Sequence, residues 1–236
     1  MSNPFLTRGL EEVRIGHQPM TLTGTINKTG LLLVICLCAS DYAWTHALGF
    51  EAILGAMLAG FIVAMIGVFK AEWSPALAPV YAVLEGLVLG GVALFYNTRY
   101  PGIALNAGLL TSAVLFVLLG LYTSRIIKVT NGLVTGICAA TAAVALVYFV
   151  SMILHMFGVQ IPFIHQSGWL GIGISLLTTG IAAANLLIDF RLIEDGVRNE
   201  KPKFMEWYCA MGLLITLVWL YLELLRLLSR LNGSNK

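Results

Sequence analysis

Seven apolar runs, each long enough to cross a bilayer, decide what this chain can fold into. They cover about 29–45, 51–69, 74–96, 103–122, 132–156, 168–188 and 208–228. A helix needs ~20 predominantly apolar residues to traverse the hydrocarbon core. Only 11% of the residues are charged, against about 25% in a soluble domain. The sequence therefore predicts an all-α, polytopic membrane protein with a seven-helix transmembrane domain at 28–230, a short cytosolic tail at 1–27 and a C-terminal tail at 231–236. The gaps between runs are short, so consecutive helices pack side by side. Ser74-Pro75 marks the start of the third helix, because serine caps and proline suits the first helical position. Tyr100-Pro101-Gly102 is a turn before the fourth. Small residues recur at four-residue spacing in Gly55/Ala59, Gly86/Gly90 and Gly132/Gly136/Ala140, a pattern that lets helix backbones approach in lipid.

Orientation follows lysine and arginine. With the N-terminus cytoplasmic, the inner segments hold Lys28, Lys70, Arg125, Lys128, Arg191, Arg198, Lys201 and Lys203, as well as Arg8 and Arg14. The outer loops hold Arg99. Arg226, Arg230 and Lys236 at the far end run against the rule, and a re-entrant last segment is the alternative to seven full crossings.

In so apolar a chain, a carboxylate inside or beside a crossing is a functional-site hypothesis. Glu85 lies midway along the third run. It reads either as a cation or proton site or as a structural acid bonded to a neighbouring helix. Asp189 closes the sixth run, with Asn185 one turn before it, and is either an interior polar site or an interfacial acid. Glu223 and Arg226 are three apart in the last run and share a face with Thr216. They form either a buried polar stripe or an ion pair reaching the headgroups. The 191–206 segment mixes both signs of charge, including Glu194 and Glu206, and reads as a solvated helical face or loop broken at Gly196 and Pro202, or as a gate or partner surface.

Other chemistries lack their residues. His17, His46, His155 and His165 never pair at ligand spacing on one helix, so no haem or zinc cofactor is expected. Cys36, Cys38, Cys138 and Cys209 read as small packing residues. Gly173-Ile174-Ser175 has no evident base, and Asp41 and Asp195 fall outside the runs, so neither a serine nor an aspartyl intramembrane protease is indicated. The chain is expected not to be an enzyme.

Several motifs resemble the Bax inhibitor-1 family, the transmembrane Bax-inhibitor-motif proteins, in a bacterial-type branch. They are Ile188-Asp189-Phe190 with Ile193-Glu194, the run Pro202-Lys203-Phe204-Met205-Glu206-Trp207-Tyr208, Leu225-Arg226-Leu227-Leu228, and Ala78-Pro79-Val80-Tyr81 with Glu85-Gly86. Asn3-Pro4-Phe5 and 24–28 fit the same branch. The resemblance implies six helices around a central seventh and a pH-sensitive calcium leak gated by two acids, one on the sixth helix and one on the seventh. Asp189 matches the first acid. The second position falls on Thr216, leaving Glu223 as the sole acid of that helix, and the arginine that latches the acids from the second helix is absent from 51–69. The implied reading is a calcium or proton leak, with Asp189 as sensing acid, transient calcium at Asp189 and Glu85, and a bacterial inner membrane as location. The alternative is a non-transporting regulator that binds a membrane-anchored ATP-dependent protease or other partner through 191–206. A proton-coupled transporter comes third.

Overall fold

The computed structural model describes residues 18–157 and 169–234. The expectations for 1–17, for His165 and for the His155 side chain lie outside what is described. The helices are α1 (Leu22–Thr45), α2 (Phe50–Phe69), α3 (Ser74–Arg99), α4 (Ile103–Thr123), α5 (Asn131–Met156), α6 (Trp169–Arg198) and α7 (Met205–Ser234), with one 3₁₀ turn, Ala71–Trp73, before α3. All seven are long and apolar enough to span a membrane.

Three boundaries differ from the sequence reading. Helix α1 begins at Leu22, inside the expected tail, because Thr21 caps it: its side chain accepts from the Gly24 N–H at 3.0 Å. Helix α6 continues ten residues past Ile188, so Asp189 lies inside the helix and Gly196 does not break it. The extension carries its own support: Phe190 and Ile193 are buried, and Arg191 pairs with Asp195 one turn on at 3.5 Å. Helix α7 likewise runs through most of the expected C-terminal tail.

Helix α7 is the most enclosed of the seven and packs against α1, α3, α4 and α6. It meets α2 where Met211 lies against Gly67, and α5 through Tyr148 and Glu223. It is thus the central helix of the bundle. Leu213, Leu217, Leu220, Leu224 and Leu225 join Ala182, Leu186 and Phe190 of α6 in one core, while Met211, Leu214 and Val218 meet Leu32, Ala78 and Tyr81 in a second.

The bundle has two polar faces. At the near face, where α7 begins, Ser74 Oγ donates to the Phe204 carbonyl at 2.9 Å and Arg191 Nη2 to Asn131 Oδ1 at 2.6 Å. At the far face, Arg230 bonds the Gly171 carbonyl and Gly233 lies beside the Tyr100 hydroxyl. The near face also holds the strip before α1: Pro19 and Pro202 form an isolated β-bridge, and Met20 N–H donates to the Lys201 carbonyl at 2.7 Å.

The small-residue rows divide. Gly86 and Gly90 carry a close α1–α3 crossing, since a Cβ at either would overlap the Cys36 or Ser40 carbonyl. In α2 the packing positions are Ala56 and Gly60, one residue on from Gly55 and Ala59. A Cβ at Gly132 or Gly136 would meet nothing within 4 Å; with Ala140, Gly173 and Gly180 the two glycines line an open apolar groove of about 640 Å³ between α5 and α6. Helix α5 is the least enclosed crossing, which leaves its row facing outward.

Candidate functional site: the polar seam of α6 and α7

Helices α6 and α7 run antiparallel, and the acids singled out from sequence distribute along and around their seam. Asp189 lies in the near half. Its carboxylate faces the Thr216 hydroxyl of α7, with the Cys209 thiol nearby, and its Oδ2 is buried with no hydrogen-bond partner. Among the described residues no salt bridge reaches it. Asn185, one turn earlier, turns to α5 instead and donates to Thr141 Oγ1 at 2.8 Å. Thr216 is buried and also bonds the Gly212 carbonyl at 3.3 Å. The two positions implied by the resemblance do meet across the seam, as one acid and one hydroxyl.

About three turns along α6, at ~1.5 Å rise per residue, the seam has a second polar layer around Glu223. Its side chain is 1% exposed, so the carboxylate belongs to the interior, while its partner Arg226 is 35% exposed. Tyr148 of α5 donates to Oε1 at 2.9 Å, Thr178 of α6 to Oε2 at 2.8 Å and Trp219 Nε1 to Oε1 at 3.2 Å. Arg226 Nη1 reaches both carboxylate oxygens, at 3.0 and 3.2 Å, bonds the Tyr148 hydroxyl, and lies 5.0 Å from that ring's centroid. Between the two layers Ala182, Leu186, Leu217 and Leu220 are buried.

The remaining acids are elsewhere. Glu85 is partly buried against α1 and α2, near Tyr81, with its carboxylate over Gly60. The structure does not bring it to Asp189 or Glu223. Among the described residues no group of three His, Cys, Asp or Glu side chains could hold a metal ion. Glu194 is a near-face group: it accepts from the Tyr122 hydroxyl and from Arg125 at 2.6 Å, in a pair whose side chains are well exposed. The hydrogen bond to Glu194 holds the Arg125 guanidinium above its ordinary pKa.

Sequence reasoning read Glu206 only as part of the charged 191–206 segment, not as a buried anchor. Its side chain is fully buried and bonds Lys28 Nζ, the Thr21 N–H at 2.8 Å and the Thr21 hydroxyl at 2.9 Å. A Cβ at Gly24 would overlap this carboxylate. Glu206 therefore anchors the N-terminus of α1, where exposed N–H groups favour negative charge, to the start of α7. Its place in a charged segment hid it. The available signal was its position next to Trp207, whose ring lies 5.4 Å from Lys28 Nζ.

A family profile described as Bax inhibitor 1 like matches residues 3–233. No curated protein matches the sequence.

Proposed function

Because the chain belongs to the Bax inhibitor 1 like family, we propose that it is a pH-responsive cation leak whose controlling group is Asp189. The supporting observation is the Asp189 carboxylate, held in the α6–α7 seam with one oxygen buried and unpartnered. A carboxylate in that condition is costly when ionised. Protonated, it is neutral and lets the seam close. Ionised, it draws water and cations between α6 and α7 to satisfy the orphaned oxygen. Calcium is a permeant in this reading and not a resident ion, because it takes six to eight oxygens and Asp189 has one hydroxyl opposite it. No covalent step is involved. A bacterial inner membrane with the N-terminus cytoplasmic is the proposed setting, since Lys28, Lys70, Arg125, Lys128 and Arg191 all belong to the near face.

The test is calcium-indicator flux into proteoliposomes of the purified chain at about pH 6 and pH 8. Flux is expected to be greater at pH 8, and Asp189→Asn is expected to flatten the pH response at the lower level. Wild-type-like flux and pH response in Asp189→Asn would remove Asp189 from control. Folded, inserted protein with no flux above empty liposomes would favour the partner-binding regulator, and would direct capture experiments to the exposed tip Arg198–Lys201.

A further inference from the structure

Met20 precedes α1 and belongs to no helix, yet it is 2% exposed and ranks with the largest fully buried side chains, the others of which all lie on the seven helices. It is seated against α6 at Gly196, where a Cβ would stand 2.7 Å from the Met20 Sδ and 3.3 Å from its Cε. Glycine inside a helix costs stability relative to alanine. Here the missing Cβ is the socket for the thioether, a flexible group suited to filling irregular gaps.

The chain around Met20 is tied to the approach to α7. The Met20 N–H donates to the Lys201 carbonyl at 2.7 Å, Pro19 bridges to Pro202, and Gln18 Oε1 accepts from Lys203 Nζ at 2.6 Å. Thr21 is fixed twice, as the cap of α1 and as a double donor to Glu206 Oε1. Residues 18–20 therefore hold the start of α7 while pressing Met20 onto the end of α6. Inward from the socket, Ile193 and Asp189 follow on the same face of α6, three and seven residues back. Ile193 is buried, and Asp189 lies ~10 Å below Gly196 along the helix. Cys209 of α7 is near Asp189, at the same depth. Gln18, Pro19, Lys201 and Lys203 are exposed, so water competes for the ties between them. A segment held by one buried side chain and solvated bonds is of the kind that opens locally.

We propose that Gln18, Pro19 and Met20 are a strap, hinged at Thr21, that stoppers the near-face end of the α6–α7 seam, with Met20 as its plug. Seated, the strap keeps near-face water from Ile193 and Asp189; lifted, it admits water to them. As control of a leak the strap rests on the reading of Asp189 above; as a barrier to water it does not.

The experiment is labelling of Cys209 in the full chain in detergent by a charged, membrane-impermeant methanethiosulfonate, in a background of Cys36→Ala, Cys38→Ala and Cys138→Ala. Labelling is expected to be slow in the background and roughly tenfold or more faster in Met20→Ala. Gly196→Ala, whose Cβ displaces the thioether, is expected to speed it too, and the double variant to label no faster than Met20→Ala alone, because both changes break one contact. Leu32→Ala, a truncation in the core away from the strap, is expected to lower the melting temperature without speeding labelling. Fast labelling in the background, unchanged labelling in Met20→Ala and Gly196→Ala, or equal acceleration in Leu32→Ala overturns the strap. If Met20→Ala does not fold, Gly196→Ala carries the comparison. Failure of both to fold overturns the proposal, since a stopper is dispensable for folding and a structural tie is not. Faster labelling with no flux from wild type or Met20→Ala in proteoliposomes would remove the leak reading and leave the strap standing; flux with unchanged labelling would do the reverse.

Discussion

Glu223 receives hydrogen bonds from Tyr148, Thr178, Trp219 and Arg226, drawn from three helices. Asp189, about three turns away along the same pair of helices, has one hydroxyl opposite it and one oxygen with no partner. Both are carboxylates in an apolar seam, yet one is knitted into the bundle and the other is held against its own solvation preference. The difference teaches where a bundle of this kind can store a switch. A saturated buried carboxylate stabilises, and removing it leaves its partners stranded. An unsaturated one costs stability while ionised.

The largest expected effect comes from exchanging amides for the two acids in turn. Glu223→Gln keeps the shape but leaves Arg226 without its counter-charge, at a cost of about 2–3 kcal/mol. That corresponds to a fall in melting temperature of roughly 5–10 °C. Asp189→Asn at pH 8 removes an ill-satisfied charge, so its melting temperature is expected to hold or rise. The two variants, measured side by side in detergent, should move in different directions. A comparable loss in Asp189→Asn would mean that Asp189 is as well supported as Glu223, and the contrast would collapse.

Thr216→Asp sharpens the comparison from the opposite side by placing a second carboxylate against Asp189. Two carboxylates this close in a buried seam cannot both ionise cheaply. The variant is therefore expected to melt lower at pH 8 than at pH 6 by roughly 3–6 °C more than the wild type does. A pH-independent difference from wild type would mean that water already reaches the seam and screens the pair.

Much of this arrangement was legible in the sequence, and the reasons for the rest are physical. Crossings are set by the length of apolar runs, and all seven were found. The central place of α7 came from the family resemblance and is now visible in its contacts with the six other helices described. Helix ends were less legible, because α1 and α6 continue beyond their apolar stretches on capping and charge pairs that resemble connector sequence. Asp189, Thr216, Glu223 and Arg226 stood out since charge and polarity are rare in this chain. Their partners did not: Tyr148 and Thr178 look like ordinary membrane-helix residues until tertiary packing brings three helices to one carboxylate. Glu85 was legible as an anomaly, but its neighbours on α1 and α2 depend on which face of α3 turns outward, and periodicity in an all-apolar helix does not report that. Glu206 was hidden by its charged surroundings.

The smallest effect belongs to Glu194, which serves as the control for both acids of the seam. It has two partners, Tyr122 and Arg125, so a count of bonds alone would rank it above Asp189. Its pair with Arg125 is nevertheless open to solvent, where water replaces a lost partner and salt screens the charge. Glu194→Gln is therefore expected to leave the melting temperature within replicate error and to leave the pH dependence of flux intact. A marked loss of stability would show that the near-face end of α6 is held by this contact. A changed pH response would add Glu194 to the control proposed for Asp189, some five residues along the same helix, and would extend the proposed gate to the near face.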